Sequence, residues 1–302
     1  MKTPLFWRES YVSEFGLLQD SFLTHDGFSW HPADANDLNS TKPSLTLSRI
    51  EKKCFSPLSA TFGGIYKGKI FSVSESKLVQ SLISYLLEQQ ISEMEIILPP
   101  DHTNLASMVA LETYLSFGFR VLYENKNHYV TLAQWIHGNL SKGNRKKLRQ
   151  ARELGLEFST ATEVETKDAF KIISRNRESL GTKVSVEYLK LKRLMSIFPS
   201  EYECHIIKTK AGEVAAASFV VETSEDNLYV YLWADDPNFR HVSPLVLMLD
   251  NLVSTYRDRF NFLDLGTSAI QGVTIEGLSR FKDNLGAYQS HKKCIRWENP
   301  EL

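Results

Sequence analysis

The stretch ECHIIKTKAGEVAAASFVVETSEDNLYVYLWADD, Glu203 to Asp236, decides the fold. Three runs in it, at 203–209, 213–222 and 227–234, are rich in β-branched and aromatic residues that suit a pleated, half-buried surface. Short turn sequences separate them, Lys210-Ala211-Gly212 and residues 223–226. Connections that brief predict a meander of three antiparallel strands. In the third run, alternation predicts that Tyr229, Tyr231 and Trp233 share one face and that Leu228, Val230 and Leu232 share the other.

Working outward from the meander, Gly155 stands where a helix ends, and residues 156–160 alternate as a strand does. Helices are predicted over 165–180 and over 186–198, the second closed by Pro199. On the far side, Ser243-Pro244 sets an N-cap residue before a first-turn proline, which predicts a helix over 245–256. A strand at 262–265 follows. A helix over 274–285 then carries Ile275, Leu278, Phe281 and Leu285 on one face and stops at Gly286. The last strand is predicted at 291–297.

The first half has fewer signals. Ser74 precedes a helical pattern of Leu78, Val79, Leu82, Ile83, Leu86 and Leu87. A strand at 94–98 stops at Pro99-Pro100, and a helix is predicted over 105–117, with Met108, Leu111 and Leu115 on one face and Gly118 at its end. Residues 119–123 and 128–132 read as a hairpin, 30–43 as a loop containing His31, and 45–50 as a strand.

The 302 residues exceed one average core and predict two domains, divided here at 1–138 and 139–302. With 42% hydrophobic and 24% charged residues, the chain has a globular and not a disordered composition. A net charge of −1 leaves attraction to polyanions to local clusters, which excludes a nucleic-acid-coating role. The three widely spaced cysteines, Cys54, Cys204 and Cys294, fit buried reduced thiols better than a disulfide framework or a zinc site. No apolar run is long enough to span a bilayer, and the start of the chain has no signal-like core, so a cytoplasmic location is expected. Metal-ligand spacings, Walker loops and nucleotide-binding glycine patterns are absent from the sequence.

Strand, two helices, three meandering strands, helix, strand, helix, strand is an element order that resembles the GNAT acyltransferase fold. The segment LSKGNRKKLRQA, Leu140 to Ala151, is similar to the basic connector helix of Fem-type, tandem-GNAT proteins. Ser56-Pro57, Phe62-Gly63-Gly64-Ile65-Tyr66, Phe117-Gly118-Phe119, Arg280-Phe281-Lys282 and Leu285-Gly286-Ala287 resemble further landmarks of that group. The resemblance spans about residues 56–297. It implies a mixed α/β (α+β) fold of two GNAT-like domains, each a mainly antiparallel sheet flanked by helices, with the second as the catalytic half. It also implies acyl transfer from acyl-CoA to a small-molecule or nucleotide-linked acceptor amine, such as an amino sugar or a cell-envelope precursor, by direct attack. Two alternatives stand beside it: an aminoacyl-tRNA donor, and a GNAT-like binding module without catalysis.

Candidate residues follow. On the connector, Ser141 caps a helix that sets Lys142, Lys146, Arg149 and Arg152 on one face, with Lys146 and Arg149 as candidates to bind phosphates. The same pattern also describes a solvated face. The turn Arg240, His241, Val242, Ser243, Pro244, Leu245 occupies the place of the pyrophosphate loop in the resemblance. Arg240 fits that pattern, whereas Ser243 and Leu245 replace small residues and Pro244 removes an N–H donor. Tyr229 and Tyr231 are candidates for the acceptor cleft. Asp235, at the end of the strand, is the first candidate to take the proton an attacking ammonium must lose, next to Trp233, with Glu276 and His291 as further candidates. Arg280 is a candidate to hold a phosphate or carboxylate of the acceptor, or a partner for Glu276 four residues away.

Overall fold

The computed structural model describes residues 4–7, 23–25, 28–30, 45, 47–56, 60–67, 74–103 and 106–301. Pro57, His31 and most of the predicted 30–43 loop lie outside them. The chain forms two compact units, each built from separate stretches. The first holds residues 1–126, 269–274 and 290–302, and the second holds 127–268 and 275–289.

In the first unit, β1 (Leu23–His25) and β2 (Phe28–Trp30) make a small hairpin, and β3 (Ser48–Ile50) pairs antiparallel with β4 (Lys53–Ser56). Helix α1 (Glu75–Glu88) begins where expected: the Ser74 hydroxyl accepts the Lys77 N–H. Its buried face, Leu78, Val79, Leu82 and Leu86, packs on Met94 and Ile96 of β5 (Glu93–Ile97). Strand β4 joins β5 in parallel.

The helix predicted over 105–117 is shorter: α2 is only Leu111–Ser116. Residues 107–109 are taken instead by strand-like bonds, with Lys67 N–H donating to the Ser107 carbonyl and Val109 N–H to the Ile65 carbonyl. The predicted hairpin at 119–132 is likewise one continuous strand, β6 (Arg120–Thr131), because the polar residues 124–127 continue in extended conformation and make no turn.

The second unit follows the predicted order. Helix α3 (Lys142–Glu153) is capped by Ser141, whose hydroxyl accepts the Asn144 N–H, and Leu140, Leu148 and Ala151 are buried. Then come β7 (Glu157–Thr160), α4 (Glu163–Ser179), α5 (Tyr188–Ile197), β8 (Tyr202–Lys208), β9 (Val214–Ser224) and β10 (Asn227–Asp235). Reciprocal hydrogen bonds between Thr162 and Glu165 start α4. A 3₁₀ turn (Pro237–Val242) leads into α6 (Pro244–Tyr256), followed by β11 (Phe262–Thr267).

A short pair, β12 (Ala269–Ile270) and β13 (Val273–Thr274), precedes α7 (Glu276–Asn284) and the final β14 (Tyr288–Glu298). Strands β8, β9 and β10 form the predicted antiparallel meander, β7 pairs antiparallel with β8, β10 runs parallel to β11, and β11 pairs antiparallel with β6. Helix α6 covers one face of this sheet within a core that includes Val220, Leu228, Val230 and Leu263. Helix α4 packs on β8, β9 and β10 from the other side. The end of β14 completes the first unit's sheet by pairing Cys294–Glu298 with β5. All three cysteines are buried, and none forms a disulfide among the described residues. Among the described residues, no helix is long and apolar enough to cross a membrane.

Candidate functional site

Two strands part in the middle of the second unit. Strand β10 pairs with β11 only through Asn227–Phe262, Leu228–Leu263 and Tyr229–Asp264. Beyond that point β10 continues with β9 to Asp235, while β11 continues with β6 to Thr267. A register shift in each strand accompanies the separation, between Val230 and Leu232 in β10 and between Asp264 and Gly266 in β11. A bulge bends its strand and changes where side chains point.

The bulge in β10 corrects the predicted face. Val230 pairs with Val220 and Trp233 with Ser218, leaving Tyr231 as the extra residue. Trp233 therefore turns to the side of Leu228 and Val230, where it joins the α6 core and meets the Phe281 ring at 5.9 Å. Tyr229 and Tyr231 stay on the other face, 6.3 Å apart, and Tyr231 also meets Tyr202. Strict alternation has no means to anticipate one inserted residue.

At the fork, the Asp264 carboxylate accepts the Gly266 N–H and the Asn127 side-chain amide, both at 2.8 Å, which fastens the bulge. Gly266 has φ +79°, and a Cβ there would meet the Tyr229 ring at 3.4 Å. The Lys282 ammonium lies against the parted end of β11, donating to the carbonyls of Gly266 (2.8 Å) and Thr267 (2.9 Å). This lysine is 2% exposed. Burial pushes its pKa down to about 7; the nearby Arg177 charge adds to the depression and Asp264 opposes it. Sequence reasoning left Lys282 out of the site, although it stands among Leu278, Phe281 and Leu285 on the helix, and a lysine inside an apolar stripe is a signal of burial with a purpose.

Asp235 ends β10. The Asn176 side-chain amide donates to its carbonyl (3.1 Å) and carboxylate (3.2 Å), and Arg240 lies 3.6 Å from the carboxylate. Burial raises its pKa, and Arg240 works against the rise. The neighbouring Asp236 binds Arg175 and caps the following turn through Asn238.

The turn that leads into α6 differs from the sequence expectation in one respect. Ser243 adopts a left-handed conformation (φ 47°) and makes no capping bond to the helix; its hydroxyl accepts from Lys147 at 2.8 Å. Val242, Ser243 and Leu245 are buried, whereas Arg240 and His241 are exposed. On α3, Lys146 and Arg149 project into solvent, Arg149 4.0 Å from Glu153, and Arg152 binds the buried Asp250, which also holds His137 at 2.6 Å. Lys147, absent from the predicted basic face, is the α3 residue that reaches the N-terminus of α6.

The remaining candidates lie elsewhere. Glu276 and Arg280 are exposed on α7, and no ion pair joins them among the described residues. His291 belongs to the first unit, near Glu124 (3.5 Å) and Asp101 (3.9 Å), and Asp235 belongs to the second. No group of His, Cys, Asp or Glu suited to a metal ion occurs among the described residues.

No family model and no curated protein matches the sequence. Solved structures do match the fold. FemX superposes with a TM-score of 0.63 at 13% identity, covering 85% of this chain and 84% of that one. The C-terminal domain of a putative lysylphosphatidylglycerol synthetase from Agrobacterium fabrum gives 0.58 at 12% identity, over 86% and 82% of the two chains. L-PGS from Bacillus licheniformis gives 0.57 at 12% identity, over 88% and 83%. The chain thus has the Fem-like, GNAT-type fold that the sequence resemblance implied, with mixed sheet flanked by helices. At these identities the likeness concerns fold alone.

Proposed function

We propose that the protein is an N-acyltransferase whose second unit joins an acceptor amine to an activated acyl group in the fork between β10 and β11. The observation that carries this reading is the parting of the two strands after Tyr229 and Asp264, with the buried Lys282 ammonium bonded to β11 at Gly266 and Thr267, beyond the point where they part. The freed edge of β10 offers backbone groups to the acyl chain. The acceptor approaches from the face of Tyr229 and Tyr231, and Asp235 takes the proton its ammonium must lose.

The amine nitrogen then forms a bond to the acyl carbon. Lys282, with two of its three N–H donors committed to carbonyls, directs the third at the developing oxyanion, where a buried charge acts more strongly than in water. Collapse breaks the bond to the leaving group, which departs with a proton, and no acyl-enzyme forms. Trp233 packs behind the fork as its wall. Glu276, Arg280 and His291 have no part in this scheme.

The donor proposed is acyl-CoA. Lys147, Arg240 and the N-terminus of α6 at Ser243–Leu245 supply positive potential for its phosphates, although the buried turn and Pro244 leave fewer free N–H groups than a glycine loop does. The alternative donor is aminoacyl-tRNA, favoured by the exposed Lys142, Lys146 and Arg149 along α3. Thermal-shift titration separates the two. A rise in melting temperature with coenzyme A supports the first, salt-sensitive binding of charged tRNA supports the second, and neither response points to a binding module. Trapping an acylated protein by intact-mass measurement contradicts direct transfer.

A further inference from the structure

One buried titratable side chain beside the fork has no part in the scheme above. His128 of β6 is fully buried, and it stands opposite Gly266 in the β6–β11 ladder, next to the bulge. Its Nε2 lies 3.3 Å from an Asp283 carboxylate oxygen, and its Nδ1 lies 3.1 Å from the Ser268 hydroxyl. A carboxylate only accepts, so Nε2 carries the proton, and in the neutral ring Nδ1 then accepts the Ser268 O–H.

Serine, histidine and aspartate in contact bring a hydrolase triad to mind, but two features argue against one. Ser268 is fully buried, so its hydroxyl is closed to a substrate carbonyl. The ring is also turned around, with the serine on Nδ1 and the carboxylate on Nε2, the reverse of the hydrolase arrangement.

What these contacts join is the two sides of the Lys282 contact. Asp283 follows Lys282 on α7, and Ser268 follows Gly266 and Thr267, whose carbonyls hold the ammonium. The Ser268 carbonyl also accepts the Ile275 N–H at the start of α7. Ser268 is therefore tied to both ends of that helix, by main chain at one end and through His128 at the other. The Asp283 oxygen is steadied in turn by the Gln289 side-chain amide at 2.8 Å.

We propose that His128 is a positioning residue: bonded to Ser268 and Asp283, it braces α7 against the parted end of β11 and so aims the third N–H of Lys282. The bracing of Lys282 stands on these contacts alone, whereas its use against an oxyanion rests on the transferase reading. An ammonium is a point charge on a flexible four-carbon stem, so its aim depends on what holds its helix and its acceptors. A displacement of about 1 Å at such a group costs on the order of a hundredfold in rate.

The test uses full-length variants and reads two quantities. One is kcat and KM for acyl transfer. The other is the titration midpoint of Lys282, followed by NMR of isotope-labelled lysine side chains, with its signal identified by its loss in Lys282→Met. Asp283 is exposed, so its variants keep the fold even where His128→Ala does not. Asp283→Ala and Asp283→Asn remove the same charge, but asparagine keeps an oxygen to accept from His128, so the difference between them reports the contact. Asp264 and Arg177, whose charges bear on Lys282, stay in place in every variant.

His128→Ala and Asp283→Ala are expected to lower kcat at least tenfold with little change in KM, and Asp283→Asn recovers most of that loss. The Lys282 midpoint in Asp283→Ala should differ from that in Asp283→Asn by at least half a pH unit. On a Lys282→Met background, Asp283→Ala costs no further activity, because it acts through the ammonium that is gone. A loss that persists on that background, or one midpoint common to the alanine and asparagine variants, overturns the proposal. A midpoint that moves in a chain with no acyl transfer to any amine removes the transferase reading and leaves the brace. Acyl transfer with an unmoved midpoint does the reverse.

Discussion

Lys282 combines a site and a liability in one side chain. In the unfolded chain a lysine titrates near 10.4, and in the fold this one titrates near 7. Between those values the unfolded state binds the extra proton, so stability rises with pH across the interval; at pH 7 and below, the folded state carries a burden on the order of 4 kcal/mol. Urea denaturation from pH 6.5 to 9.5 is expected to show that rise in the wild type and a much flatter curve in Lys282→Met. In an assay of acyl transfer, the same variant should lose at least a hundredfold in kcat, and the wild-type rate should fall as pH climbs through 7, since the charged form faces the oxyanion.

His205 works in the other direction along the pH scale. It is 1% exposed, bonded to the Tyr256 hydroxyl at 2.7 Å, and burial holds its pKa down to about 4. Below about 6.5 the unfolded histidine takes a proton that the folded one refuses, so up to about 3 kcal/mol is lost between pH 6.5 and 4. Thermal melts of His205→Gln should show less acid sensitivity than the wild type. At this scale the sequence marked residue types well and placement poorly: Asp235 was legible at the end of its strand and the two tyrosines on their shared face, but the burial of Lys282 shows only in the folded chain.

Among the elements, the meander and its turns were readable because each rests on local chemistry, as were the caps at Ser74 and Ser141. Features set by a partner far along the chain were not. The single residue added in β10 turned Trp233 inward, and the pull of residues 65–67 took residues 107–109 away from α2. Gly286 illustrates both kinds. It reads as a helix stop, and its φ of +76° agrees, but a Cβ there would also lie 2.7 Å from the Asn139 carbonyl oxygen. Gly286→Ala is expected to lower stability by at least about 2 kcal/mol, more than left-handed strain alone explains. Helix α3 makes a separate prediction. Lys146→Glu combined with Arg149→Glu should weaken binding of charged tRNA, the alternative donor, and reduce its salt dependence, while stability stays within about 0.5 kcal/mol, because both side chains are solvated.

At the scale of the whole chain, neither unit is a single run of sequence. The second unit needs residues 275–289, which carry Lys282, and the first needs residues 290–302, which carry Ile295 and Trp297 of its core. A sequence has no local mark for such returns, since composition does not change where the chain leaves one unit for the other. Truncation after residue 289 is expected to make the first unit sensitive to limited proteolysis, and Trp297→Ala alone should cost about 3–5 kcal/mol. Resistance of the truncated chain equal to that of the wild type counts against the assignment of β14 to that core.

The pairing of β5 with Cys294–Glu298 has a bearing on biosynthesis. Some two hundred codons separate the two strands, so a ribosome that has released β5 must continue for many seconds before its neighbour emerges. Throughout that interval the nascent polypeptide presents an open strand margin to the cell, which makes it a natural client for chaperones until β14 has been translated.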